Sequence, residues 1–129
     1  MKANELMTGD WVKLKKDHCK FLQLTAIDET YNSINYFDGD AEGELTLQLT
    51  AIEPIPLTPE ILEKNGFTED SYSQFSLQIH DGSIRFFKHR YGLYCTILRP
   101  YQKYDGVCNY VHHFQQALRL CGIEKEIVL

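Results

Sequence analysis

Short runs in which apolar and polar residues alternate recur along this chain. A period of two can bury one face of a strand but not one stripe of a helix. "KFLQLTAI" (20–27) sets Leu22, Leu24 and Ala26 on one side, with Phe21, Gln23, Thr25 and Ile27 on the other. "ELTLQLT" (44–50) aligns Leu45, Leu47 and Leu49, "DWVKL" (10–14) follows a Thr8-Gly9 turn signal, and "YNSINYF" (31–37) alternates less cleanly. The spacers "DET" and "DGDAEG" supply turn residues and charge. Four or five short strands in about fifty residues predict a small, strongly bent antiparallel barrel of the Src-homology-three kind over 1–53.

The pattern changes at "AIEPIPLTPEILEKNGF" (51–67). Pro54 and Pro56 remove backbone donors and favour an extended linker. Thr58 then suits an N-cap, Pro59 the first helical position, and Glu60 the positive end of the helix dipole. Gly66 suits a left-handed helix stop with Phe67 packing back. A linker and one short helix are expected over 54–66. Beyond it, "QFSLQIHDGSIRFFKH" (74–89) reads as a hairpin turning at Asp81-Gly82, which would put Ile79 opposite Ile84 and Leu77 opposite Phe86. Phe75, Leu77, Ile79, Ile84 and Phe86 then form the core face, and Arg85 and Phe87 point the other way. "LYCTIL" (93–98) is a third strand stopped by Pro100. The expected whole is an α+β single domain: the barrel-like half, the linker helix, and over 72–129 a hairpin-based sheet with a C-terminal helix packed on it.

That helix carries the residues that look most like chemistry, "VCNYVHHFQQALRLCGI" (107–123). At about 100° per residue, Val107, Tyr110, Val111, Phe114, Ala117, Leu118 and Cys121 share an apolar stripe. Cys108, His112, Gln115, Gln116 and Arg119 fall on the opposite, polar side. Cys108 and Cys121 then face apart, and no C-x-x-C pair exists for a zinc knuckle, so neither a metal nor a cofactor is expected. Cys108 and His112, four apart, have the spacing of a thiolate–imidazole pair. A nucleophile also needs a cleft, an orienting partner and an oxyanion donor, and the sequence names none. A solvated Cys and His on a docking helix are the expectation, and no catalytic residue is assigned. His18-Cys19 falls in a turn. The acidic run Asp38, Asp40, Glu42 and Glu44 lacks the calcium-loop pattern and reads as a solvated loop.

Composition excludes several classes. A hydrophobic fraction of 43% is too high for a disordered chain. No apolar run is long enough to span a bilayer, and the N-terminus lacks a signal-peptide pattern, so a cytoplasmic protein is expected. The four scattered cysteines are then expected to be free thiols. Net charge is −5 but uneven: eleven carboxylates face one lysine between Asp28 and Asp70, whereas five cations face two aspartates between Asp81 and Asp105. Such a chain is no general DNA coat, which needs many cationic contacts. Its basic island can still hold one small anion.

"IEPIPLTPEILEKNGF" and "YVHHFQQALRLCGIEKEIVL" resemble two motifs of a family of small proteins, without an assigned activity, from gut Bacteroidota, their phages and their integrated elements. Glu5-Leu6 and Gly9-Asp10-Trp11-Val12 match that family's usual opening. Phe114 stands where the family has leucine, and His113 fills the variable position before it. The resemblance implies a mobile-element accessory protein and assigns no catalytic residue.

The functional expectation rests on segment 85–104, "RFFKHRYGLYCTILRPYQKY", where cations interleave with rings. The candidate ligand-binding cations are Arg85, Lys88, Arg90 and Arg99; the candidate rings are Phe87, Tyr91, Tyr94 and Tyr101. Guanidinium beside aromatic rings suits a base and a phosphate together. The expected function is non-catalytic binding or sequestration of a small nucleotide or other anion. The alternative is an adaptor or inhibitor acting on a host protein through a barrel edge or the acidic loop. A thiol or acid–base enzyme ranks third.

Overall fold

The computed structural model describes residues 1–37, 43–70, 74–90 and 92–129, so Asp38, Asp40 and Glu42 of the acidic loop, and the candidate Tyr91, lie outside the described residues. The fold is α+β, and the described residues form two five-stranded antiparallel sheets and two α-helices. It divides into two compact units, Met1–Ile55 and Pro56–Leu129. Among the described residues no helix is long and apolar enough to cross a membrane.

The first unit holds β1 (Trp11–Leu14), β2 (Phe21–Asp28), β3 (Ser33–Phe37), β4 (Glu44–Gln48) and β5 (Ile52–Pro54), in the spatial order β4-β3-β2-β1-β5. Val12 is paired with Leu22 on one side and Pro54 on the other. Leu22 and Leu24 are buried as their alternation requires, together with Val12, Ile34, Tyr36 and Ile52. Beyond Leu24 the phase breaks. A register shift between Leu24 and Ala26 inserts an extra residue against β3, and Ile27, expected on the outer side, packs against the core. An extra residue in a period-two element exchanges its two faces. A one-turn 3-10 helix, Leu49–Ala51, then leads the chain into β5 and buries Leu49.

The second unit begins with α1 (Pro59–Lys64). Its capping follows the sequence: the Ile61 N–H donates to Thr58 Oγ1 (3.3 Å), and Gly66 takes φ +91°. The Phe67 and Gly66 amides donate to the Leu62 and Glu63 carbonyls, the paired bonds of a Schellman end. Five strands follow: β6 (Thr68–Glu69), β7 (Phe75–Ile79), β8 (Gly82–His89), β9 (Gly92–Arg99) and β10 (Gln102–Val107), in the order β10-β9-β8-β7-β6. α2 (Val111–Leu120) closes the unit. It packs on the sheet face that carries Ile84, Phe86, Cys95 and Ile97, all fully buried. The Phe86 and Phe114 rings meet edge to face at 4.9 Å, with Phe67 against both.

Two expectations are corrected here. The β7–β8 hairpin turns at His80-Asp81, with Ile79 opposite Gly82 and Leu77 opposite Ile84. The register is displaced by two residues, so every face is kept. Gly82 sits in the ladder, at a position where a Cβ would lie 1.9 Å from the Leu98 carbonyl oxygen. The apolar stripe of the last helix begins at Val111, because Val107 still belongs to β10 and pairs with Tyr94. Segment 108–110 is held extended between neighbours. The Cys108 N–H donates to the Leu93 carbonyl (2.8 Å), and the Leu57 N–H donates to the Asn109 carbonyl (2.9 Å). Asn109 Oδ1 accepts the Leu93 N–H (3.0 Å).

Candidate ligand-binding face

Alternation divides each strand of the second sheet between a face covered by α2 and a face without it. On the latter, β8 contributes Ser83, Arg85 and Phe87, while β9 contributes Tyr94, Thr96 and Leu98. Val107 and Lys103 of β10 stand beside Tyr94 and Leu98. Phe87 lies directly opposite Tyr94, their ring centroids 5.1 Å apart and tilted by 42°. The His89 ring extends the row, 5.7 Å from that of Tyr94. Arg85 is two residues from Phe87 along β8, a rise of about 7 Å. It is exposed and flanked by Thr96 and Ser76.

The charge on this face is arranged unevenly. Asp105 accepts from the Thr96 hydroxyl (2.9 Å) and pairs with Lys103 (3.3 Å). Arg85 makes no hydrogen bond or ion pair with any described residue. A cation next to an aromatic pair is therefore open to an incoming anion. None of the four depressions described on the surface is lined by Arg85, Phe87 or Tyr94.

The remaining candidates are placed elsewhere. Lys88 is on the α2 side of the sheet, at its edge, and Arg90 is exposed in the β8–β9 turn. Tyr101 is fully exposed in the β9–β10 turn. Arg99 is committed to structure: its Nε and Nη2 donate to Asp81 Oδ2 (3.1 and 2.8 Å), and its Nη1 donates to the Cys121 carbonyl at the end of α2. The guanidinium both caps that helix and clamps the β7–β8 loop. This pair lowers the Asp81 pKa from its usual value. Of the seven described candidates, the fold gathers Arg85, Phe87 and Tyr94. His89, Leu98 and Val107, which share their face, follow from strand phase once β10 is recognised as a strand.

Cys108 and His112 are not on a solvated side of the helix. Both are buried, Cys108 ahead of α2 and His112 within its first turn. His112 stacks on Tyr110 at 5.8 Å and meets His113 at 4.4 Å. Cys95, Cys108 and Cys121 are buried free thiols. The Tyr104 phenol folds back over Gly106, where a Cβ would meet its hydroxyl at 2.6 Å. Hydrogen bonds from the Cys95 thiol and the Tyr104 hydroxyl hold the Cys108 pKa below that of an ordinary thiol, against the effect of burial. The bond to Cys108, and burial, push Cys95 up. Burial, with Cys108 beside it, pushes Tyr104 up to about 12. Cys95 and Cys108 are both fully buried, packed away from solvent. Among the described residues, no three His, Cys, Asp or Glu side chains gather as a metal site.

No protein-family model matches the chain, and no curated protein or solved structure is significantly similar to it.

Proposed function

We propose that the protein is a non-catalytic binding protein that takes a small planar anion, a nucleotide by class, on the open face of its second sheet. One juxtaposition carries the reading: the Phe87–Tyr94 pair at 5.1 Å with an uncommitted Arg85 on the same face. A base stacked on such rings contributes about 1–3 kcal/mol. An arginine within reach of its phosphate adds forked, charge-assisted hydrogen bonds. With one or two phosphates neutralised, the salt dependence is shallow. The resemblance to proteins of phages and integrated elements supports a role in sequestering a nucleotide signal inside a host cell. The first unit we read as a bent barrel of the Src-homology-three kind. Its strand order, the bulge in β2 and the 3-10 turn before β5 support that assignment.

One observation favours a second reading, a protein–protein adaptor: Leu98 and Val107, 40% and 39% exposed, add apolar surface at the ends of this face. Calorimetric titration with cyclic and linear nucleotides and a short single-stranded oligonucleotide separates the two. Binding is expected, weakened at least about tenfold, or 1.4 kcal/mol, by Arg85→Ala or Tyr94→Ala. No heat with any member of the panel rejects the nucleotide reading and leaves the adaptor.

A further inference from the structure

A depression of about 340 Å³ opens on the other side of the same sheet, where α1 begins and the β8–β9 hairpin ends. Its walls are Leu57, Leu62, Phe75 and Leu93. Lys88 and His89 stand at its rim, and no carboxylate is among its described lining residues. The walls are fixed by the backbone. Leu57 is tied to Asn109, Asn109 to Leu93, and Leu93 to Cys108 by hydrogen bonds of 2.8–3.0 Å. Gly92, at φ +125°, leaves room for the Asn109 amide, which a Cβ would meet at 1.8 Å. Lys88 makes no ion pair with a described residue. Among the described lining residues the charged or titratable groups are one lysine and one histidine, and such an apolar hollow selects an apolar body that ends in a negative charge.

The geometry points to a binding site for a small monocarboxylate with an acyl chain, the chain against Leu57, Leu62 and Leu93 and the carboxylate at Lys88. The walls and Lys88 belong to the other side of the sheet, only His89 at the sheet's edge borders both faces, and the site stands whether or not nucleotides bind on the open face. Octanoate tests it, followed by NMR on the methyl groups of the full chain, with 1-octanol as the neutral counterpart. Octanoate is expected to shift the Leu57, Leu62 and Leu93 methyls saturably, and to bind more tightly than octanol. Lys88→Gln, an exposed substitution that leaves the walls intact, should weaken octanoate by up to about fivefold, the scale of one exposed charge pair, and leave octanol unchanged. Two results would overturn the site: no shift of those methyls up to the solubility limit, or equal binding of acid and alcohol in both the native chain and the variant.

Discussion

The two faces of the second sheet are built from the same strands, residue by residue in turn, and have opposite fates. Ile84 and Phe86 are sealed under α2, while Arg85 and Phe87 between and beyond them look away from it. The difference lies in the cover and not in side-chain size, since phenylalanine occurs on both sides. Under the helix a ring meets Phe114 and Phe67 edge to face and contributes to stability. On the other side the ring of Phe87 meets that of Tyr94, which His89 flanks in turn, and it has a surface left over for something else. Aromatic content alone therefore says nothing about function, and strand phase decides which rings can serve it.

Truncating a ring on each side gives the largest contrast. Phe114→Ala should cost about 3–5 kcal/mol in denaturant melts, as expected for a buried aromatic left as a cavity. Phe87→Ala should cost under about 1 kcal/mol, near the range of surface changes. Comparable losses would mean that the open face is covered as well. A smaller effect is expected at the hairpin that joins the two faces. Gly92→Ala places a Cβ at φ +125° against Asn109, and should cost about 1–3 kcal/mol. An unchanged melt would remove the argument that the walls beside Leu93 are fixed. Cys108→Ser sharpens the covered side in the same range, since a hydroxyl buried at a thiol position costs about 1–3 kcal/mol unless it is fully bonded. A change under about 0.5 kcal/mol, typical of exposed sites, would return Cys108 to a solvated position.

Much of the comparison was legible in the sequence. Phe75, Leu77, Ile84 and Phe86 announce their face by alternation, and the register displacement of two residues did not disturb it. The caps of α1 are local, and Thr58, Pro59 and Gly66 act as their chemistry dictates. The helix start was not legible, because Val107 suits a helical stripe as well as a strand end. Only the pairing of β10 with β9, a contact distant in sequence, decides between them. The same misphasing put Cys108 on a polar face. Ile27 was lost to a bulge that alternation cannot show. At the candidate site, Arg85, Phe87 and Tyr94 could be placed together from strand phase. Arg99 could not be excluded from sequence, since its partners Asp81 and the Cys121 carbonyl meet only in the folded chain.

The smallest expected effect concerns that clamp. Asp81 has its folded pKa lowered by Arg99. A depressed carboxylate contributes stability above its unfolded pKa and loses it as pH falls through the lower, folded value. Melts taken from neutral pH to below 3.8, the reference value, should show a slightly gentler acid loss in Asp81→Asn than in the native chain. Identical slopes would mean that the exposed pair is not formed in solution.

The central claim is that the open face, and not the covered one, receives a planar anion. The most direct measurement is an NMR titration with a nucleoside monophosphate, following the aromatic ring protons of Phe86, Phe87 and Tyr94 in one sample. Ring-current shifts are predicted for Phe87 and Tyr94 with Phe86 unmoved, and they should be lost in Arg85→Ala at the same ligand concentration. Saturation without movement of Phe87 and Tyr94, or shifts that are the same in the Arg85 variant, would contradict it.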